Sequence, residues 1–363
     1  MRDVRVRYGN FFAPSFQIKI NGKNVCTDIN VAIPGVTVSL GCGNEANSCT
    51  FSVGNLFDIK NRKFRDELDT YFKPTNVVEV SAGYIKNMLI FKGVISSLSY
   101  TYGSDGAPSV DVECMDMKSV MMADQKYMAY KENKYSEVIK KVLEHYKSSK
   151  AFKTINVQPL KNDKQVSIEK EATSDYEFLC SIASKAGYEF FVQGDTVYFQ
   201  ESMKNTSELI NLEFGVDLIS FRTSRRMPGQ VFGVKARNIS QETTGAIQYL
   251  ATVENTSFGN LRNPEELTKI PKDVVKVIVD PKIRTESDAQ VLAEATLREI
   301  VMNYVSCSGS CVGFPEFVPG RFIKISKLGL NPENENVFYI VRVEHSIDSS
   351  GYGVSFEGRM NAV

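Results

Sequence analysis

The chain has 363 residues, with 43 basic and 43 acidic side chains, seven cysteines, two histidines and no tryptophan. At ~100–200 residues per domain this length predicts two or three domains, and 42% hydrophobic with 24% charged residues excludes a disordered chain. Charge is balanced in every part, with 13 basic and 13 acidic residues in 1–125, 13 and 11 in 126–205, and 17 and 19 in 206–363, so no segment carries the basic footprint of nucleic-acid binding.

MRDVRVRYGNFF has no apolar core of a signal peptide, and no run approaches the ~18 apolar residues that cross a bilayer. The expectation is a chain made in the cytoplasm, without direct membrane binding, whose odd and scattered cysteines are reduced core fillers. Residues 1–57 read as antiparallel strands, since Phe16, Ile18 and Ile20 alternate, as do Val31, Ile33 and Val36 to Leu40, with turns at Asn21-Gly22 and Pro34-Gly35. In DIKNRKFRDELDTYF the period changes: Phe64, Leu68, Tyr71 and Phe72 fall at helical spacing and Pro74 stops the helix. Strands resume with Val78, Val80, Ala82 and Tyr84, then MLIFKGVISSLSYTYG, a turn at Asp105-Gly106, and VDVECMD ending at Asp116.

From about 126 the pattern is mixed. Tyr135, Val138, Ile139, Val142, Leu143 and Tyr146 make one apolar helical stripe. A second helix is predicted over Asp175 to Ala186, with Ser174 and Glu177 as a capping box and Gly187 as its stop; EFFVQ and TVYF then flank a Gly194-Asp195 hairpin. The last part repeats the first: strands (LISFRTSRR, VFGVKARNI, IQYLATV, VVKVIV), a helix capped by Thr285 and Asp288 with Ala289, Leu292, Ala293, Leu297, Ile300 and Tyr304 on its buried face, then RFIKIS, VFYIVRVEHSI and YGVSFEGRM. The shared order of strands, helix and three strands suggests an internal duplication; the plainer alternative is that any two β-rich segments with one helix look alike. The segment 241–284, rich in Asn, Thr and Glu with Pro264, Pro271 and Pro281, reads as an insertion at an interface.

Little chemistry is on offer. His145 reads as a surface residue of the first amphipathic helix, and His345, between Val343 and Ile347, as a strand residue or satisfied core imidazole. Cys307 and Cys311 have C-x3-C spacing but no second ligand pair nearby. GSCVG at Gly309 to Gly313 has the form of a nucleophile elbow with His345 and Asp348 downstream, yet it follows a helix and precedes Pro315 and Pro319, the wrong context, so a flexible loop is expected there. No catalytic, cofactor-binding or metal residue is nominated, and no cofactor is expected.

Three segments resemble the phage late control D family, the baseplate hub proteins of contractile tails, and the hub portion of type VI secretion spike proteins. They are FKGVISSLSYTYGSDGAPSVDVECMDMKSVMM at 91–122, SDYEFLCSIASKAGYEFFVQGDTVYF at 174–199, and GFPEFVPGRFIKIS with VFYIVRVEHSIDSSGYGVSFEG near the end. The resemblance implies an α+β, mainly β chain with two tube-like β-barrel domains, each with one helix, at 1–125 and 206–363, and a small α+β domain between them at 126–205. It implies a non-enzymatic homotrimer joining a hexameric inner tube, or its initiator, to a trimeric spike, with a LysM-like adaptor and baseplate wedge proteins as further partners. Such a hub of a phage tail or tailocin is assembled in the cytoplasm and leaves as part of the particle. Gly313, Pro315, Pro319 and Gly320 would be turn formers and His345 structural. Because the sequence stops at Val363, soon after its last strand, the spike is expected to be another chain and no cell-wall hydrolase to be fused. Two other readings remain at this stage: a hydrolase acting through Cys311, and a sugar-binding tail protein with an exposed aromatic platform.

Overall fold

The computed structural model describes residues 6–103, 106–148, 152–165, 167–204, 207–238, 247–255, 265–329 and 336–360. The first part carries strands β1 (Ser15–Ile20), β2 (Lys23–Asn24), β3 (Val36–Gly41) and β4 (Ser48–Val53), then β5 (Phe57–Asp58), β6 (Lys63–Phe64) and helix α1 (Asp66–Tyr71). Strands β7 (Val77–Gly83), β8 (Asn87–Thr101) and β9 (Ser109–Asp116) follow. Asn21 and Gly22, at φ 50° and 84°, make the two-residue turn between β1 and β2. The helix is shorter than its apolar spacing predicts. Phe64 pairs with Phe57 across a hairpin, ring to ring at 5.1 Å, and Asp58 accepts from the backbone of Lys60 and Asn61 in its turn, so helical geometry starts only at Asp66.

The middle part comprises β10 (Met128–Tyr130), α2 (Tyr135–Ser148), β11 (Thr154–Val157), β12 (Ile168–Lys170), α3 (Asp175–Ala186), β13 (Tyr188–Gln193) and β14 (Thr196–Glu201). Helix α3 starts and stops where its sequence says. Ser174 Oγ accepts from the Glu177 amide at 3.1 Å while Glu177 Oε2 accepts from the Ser174 amide at 2.9 Å, and Gly187 ends the helix at φ 69°. Gln193 pairs with Thr196 across the Gly194-Asp195 turn. This part has its own core, in which Val138, Ile139 and Leu143 of α2 pack with Leu179, Phe190, Val197 and Phe199.

The last part carries β15 (Glu208–Glu213), β16 (Leu218–Arg225), β17 (Gly233–Arg237), β18 (Gln248–Thr252), α4 (Glu265–Thr268), β19 (Val275–Val279) and α5 (Glu286–Met302). It ends with β20 (Val305–Val312), β21 (Phe322–Ser326), β22 (Val337–Asp348) and β23 (Gly351–Met360). Helix α5 has the expected box, with Thr285 Oγ1 accepting from Asp288 N at 3.1 Å. Strand β20 corrects the loop expected at GSCVG. Val305, Cys307, Gly309 and Cys311 point inward and the three intervening serines outward, a period of two made from residues that carry little strand signal. Of the segment 241–284, residues 241–246 and 256–264 lie outside the described residues, as does Asp105; the remainder supplies β18, α4 and β19, with β17 between β18 and β19 in a small sheet.

The two β-rich parts share one strand order and differ in the sense of the first strand, which runs antiparallel to the fourth in the first part and parallel to it in the second. Numbered in order within each part, β1, β3, β4, β7, β8, β9 and β15, β16, β20, β21, β22, β23 both lie in the sheet order 1-4-5-6-3-2. Even the irregularities match. The fifth strand bulges against the sixth between Ile95 and Ser97 in the first part, and between Ile340 and Arg342 in the second. One residue before the bulge, Ile95 pairs with Cys114 and Cys114 with Cys49, just as Ile340 pairs with Gly358 and Gly358 with Cys307. The helices do not match, since α1 falls between the third and fourth strands and α5 between the second and third. The expected pattern of helix then three strands therefore holds only for the first part; the second has four.

The two parts are joined edge to edge. Beyond its bulge β22 leaves β21 and pairs antiparallel with β3, Val38 opposite His345, which merges both halves into one 13-stranded sheet. Among the described residues neither half closes on itself. One hydrophobic core runs through both, from Ile18, Val38 and Val112 to Ile323, Val343 and Phe356. The fold is thus α+β and mainly β, and no helix among the described residues is long and apolar enough to cross a membrane.

Candidate assembly surface

The candidate nucleophiles and ligands lie apart or deep in the core. His345 shares the inward face of Val343 and Ile347, is fully buried, and meets the Tyr352 hydroxyl through Nδ1 at 2.8 Å. Burial pulls its pKa down to about 4, so it is neutral in the folded chain near neutral pH. Asp348 is turned away in the β22–β23 turn, accepting from Ser350. Burial pushes the Cys307 and Cys311 thiols up to about 12, which removes the thiolate that nucleophilic chemistry requires. His145 is exposed on α2 as expected. Among the described residues no three His, Cys, Asp or Glu side chains gather as a metal site would need.

The two glycines of the third motif do two different jobs. Gly320, at φ 76°, is a turn former. Gly313 is needed for close approach: a Cβ there would sit 2.5 Å from Tyr352 Cε2, on a ring held between His345 and Tyr84. Its carbonyl accepts from Tyr84 Oη at 2.7 Å, tying the β7–β8 turn of the first half to the second. Gly313→Ala is expected to lower stability by about 1–3 kcal/mol through this overpacking, read as a lower urea midpoint by circular dichroism.

Buried polar knots fix how the three parts sit. Asp116 and Lys118 are 1% and 0% exposed. Asp116 accepts from the Asn47 and Lys118 amides at 2.9 Å each, and Lys118 Nζ donates to the Glu45 carbonyl at 2.5 Å and the Phe190 carbonyl at 3.4 Å. Asn47 in turn donates through Nδ2 to the Val192 carbonyl at 3.0 Å. Burial raises the Asp116 pKa and lowers that of Lys118, each opposed by the other's charge. A second knot joins all three parts: Glu189 of β13 accepts from Tyr339 of β22, with Cys42 alongside, and burial pushes its pKa up to about 7. Between α3 and α5 a cleft of about 390 Å³, lined by Phe178, Ile182 and Leu292, is bridged by Lys185 and Asp280 at 2.6 Å. These contacts make a rigid scaffold; none aligns a nucleophile with a base.

What remains outward is one long polar face. Across adjacent strands from β16 to β8 it presents Arg222, Ser308, Glu357 and Arg342 in one row of partners, Ser39 and Ser48 as the next pair, and Thr50, Glu113 and Ser97 as a third row on the same face. Hydroxyls dominate and both signs of charge alternate, as on a surface made to face water along its whole length. Sequence reasoning missed this surface because each strand shows only its own alternation; the registers that align the strands are set by pairs far apart in the chain.

The fold defined by this geometry is that of tail proteins. It matches the 43 kDa tail protein of prophage MuSo2 from Shewanella oneidensis with a TM-score of 0.69 at 12% identity, covering 95% of this chain and 98% of that one. A tail protein from Neisseria meningitidis gives a TM-score of 0.67 at 12% identity over 96% and 97% of the two chains. A component of the type VI secretion system of Escherichia coli, described as structurally similar to T4 bacteriophage tail proteins, gives 0.55 at 10% identity over 95% and 76%. Comparison with curated protein sequences gives no match. The family is shown by sequence: the model of the Alg8 N-terminal domain matches residues 13–349, and the chain belongs to that family.

Proposed function

We propose that this chain is the structural baseplate hub of a contractile injection system, a phage tail or tailocin, acting as a homotrimer between the hexameric inner tube and the trimeric spike. The observation that carries the reading is the repeated six-strand plan with its repeated bulge. Three chains with two equivalent units each present six units to a sixfold tube while keeping threefold symmetry for a spike. The three motif resemblances to late control D proteins point the same way, as does the tail-protein fold.

In this reading residues 1–125 and 206–363 are the two tube-like domains and 126–205 the insertion that braces them. The hydroxyl-rich face from β16 to β8 lines the central channel, where mixed charge and short polar side chains hold water and grip no cargo. The hub transmits the push of sheath contraction through matched surfaces, with no covalent step, and is made in the cytoplasm and released within the particle. A LysM-like adaptor and wedge proteins are its other neighbours. Light scattering on the purified chain should give three times the 40.6 kDa chain mass. A monomer at every concentration that also fails to bind a spike trimer would overturn the proposal.

A further inference from the structure

Repetition of the strand plan leaves one pairing made in the second half and missing in the first. The fifth strand of the second half, β22, is covered beyond its bulge by β3, the second strand of the first half. Among the described residues the fifth strand of the first half, β8, has β9 on one side but no partner on the other from Ser97 to Thr101. Likewise, among the described residues, β16, the second strand of the second half, pairs only with β20.

Side chains at the equivalent positions record the missing neighbour. Aligning the bulges puts Tyr100 where His345 stands and Tyr102 where Ile347 stands. His345 and Ile347 are 0% and 2% exposed under β3, whereas Tyr100 and Tyr102 are 46% and 67% exposed. Both tyrosines lean inward on the Phe64 ring, at 5.6 and 6.2 Å, so they occupy core-facing positions that lack a cover. An open edge beside exposed aromatics is an invitation to strand pairing.

We propose that β16 of one chain pairs antiparallel with the second half of β8 in a second copy of the chain, repeating between copies the junction that β3 and β22 make within one. The register follows from the internal one. Val38 is equivalent to Thr223 through their partners Cys49 and Cys307, so Thr223 falls opposite Tyr100, Ser224 opposite Ser99, and Arg222 opposite Thr101. The outward side chains of this pairing extend the polar face without a break. The pairing rests on the hub reading only for the number of copies; the strand edges and register come from the repeat itself.

The test is cross-linking of the full chain carrying Ser99→Cys with Ser224→Cys, and separately Thr101→Cys with Arg222→Cys. Directly opposed Cβ atoms lie ~4.5–5.5 Å apart and need shift by only about 1 Å to meet the ~3.5–4.5 Å of a disulfide, whereas diagonal ones lie ~7–8 Å apart. On mild oxidation each double variant should run as a covalent trimer on a non-reducing gel, while each single variant stays a monomer apart from any background from the native thiols. The diagonal pair Thr101→Cys with Ser224→Cys should link at least several-fold less. A particle that scatters light as a trimer but links in neither opposed pair overturns this pairing and leaves the hub reading standing. Equal linking of opposed and diagonal pairs overturns the register. Efficient linking that closes at a number other than three keeps the pairing and overturns the threefold hub.

Discussion

Asp116→Ala should destabilise the chain by about 3–5 kcal/mol, because it removes the buried carboxylate 3.9 Å from an ammonium that is 0% exposed. Lys118 Nζ would keep the Glu45 and Phe190 carbonyls and the Phe190 ring 5.6 Å away, but the amides of Asn47 and Lys118 would lose their acceptor. The damage is local and testable by composition. Lys118→Met combined with Asp116→Asn removes both charges while keeping most of the shape, so the double variant should lose less than Asp116→Ala alone. With no tryptophan in the chain, urea unfolding is followed by circular dichroism. Equal losses in the single and double variants would mean that the charge pair is not what holds β9, the β3–β4 loop and β13 together.

Asp116 also shows how far the sequence could be read. Its place at the end of the VDVECMD strand was legible, because the strand's alternation stops there. Its task was not, because Asn47 and Lys118 meet it only once the β3–β4 loop and the turn after β9 are folded. Helix α3 lies at the other extreme: cap, box and terminal glycine are all within fourteen residues, so its ends were read correctly from local chemistry alone. Strand β20 was missed since cysteine and glycine fill its inward positions, and the helix expected from Phe64 onward lost its first turns to a hairpin between two phenylalanines. The duplication was visible as an order of elements but with the wrong correspondence of helices. What supports it, the shared sheet order and bulge, depends on pairs such as Cys49 with Cys114 and Cys307 with Gly358, each far apart in the chain. The same holds for the assembly surface: the inward spacing of Tyr100 and Tyr102 is in the sequence, their lack of cover is not.

Two buried titratable groups should give the chain a pH profile that only variants uncover. Glu189 has its pKa raised from 4.5 to about 7 by burial, against the Tyr339 hydrogen bond and the more distant Arg298 charge. Its folded form therefore holds a proton that the unfolded form releases, and the stability it contributes is full below pH 4.5 and lost as pH rises to 7. His345 runs the other way. Burial lowers its pKa from 6.5 to about 4, so its contribution is full above pH 6.5 and lost as pH falls to 4. Each displacement is worth about 3 kcal/mol, and between pH 4.5 and 6.5 the two slopes oppose each other. Glu189→Gln keeps an acceptor for Tyr339 and removes only the titration, so relative to the parent chain it should gain stability at pH 8 and fall more steeply on acidification. His345→Asn keeps a polar partner for Tyr352 and should lose stability relative to the parent mainly at high pH. Urea midpoints taken at steps from pH 4 to 8 decide it, since differences that stay constant with pH in both variants would mean neither group titrates inside the fold as its burial requires.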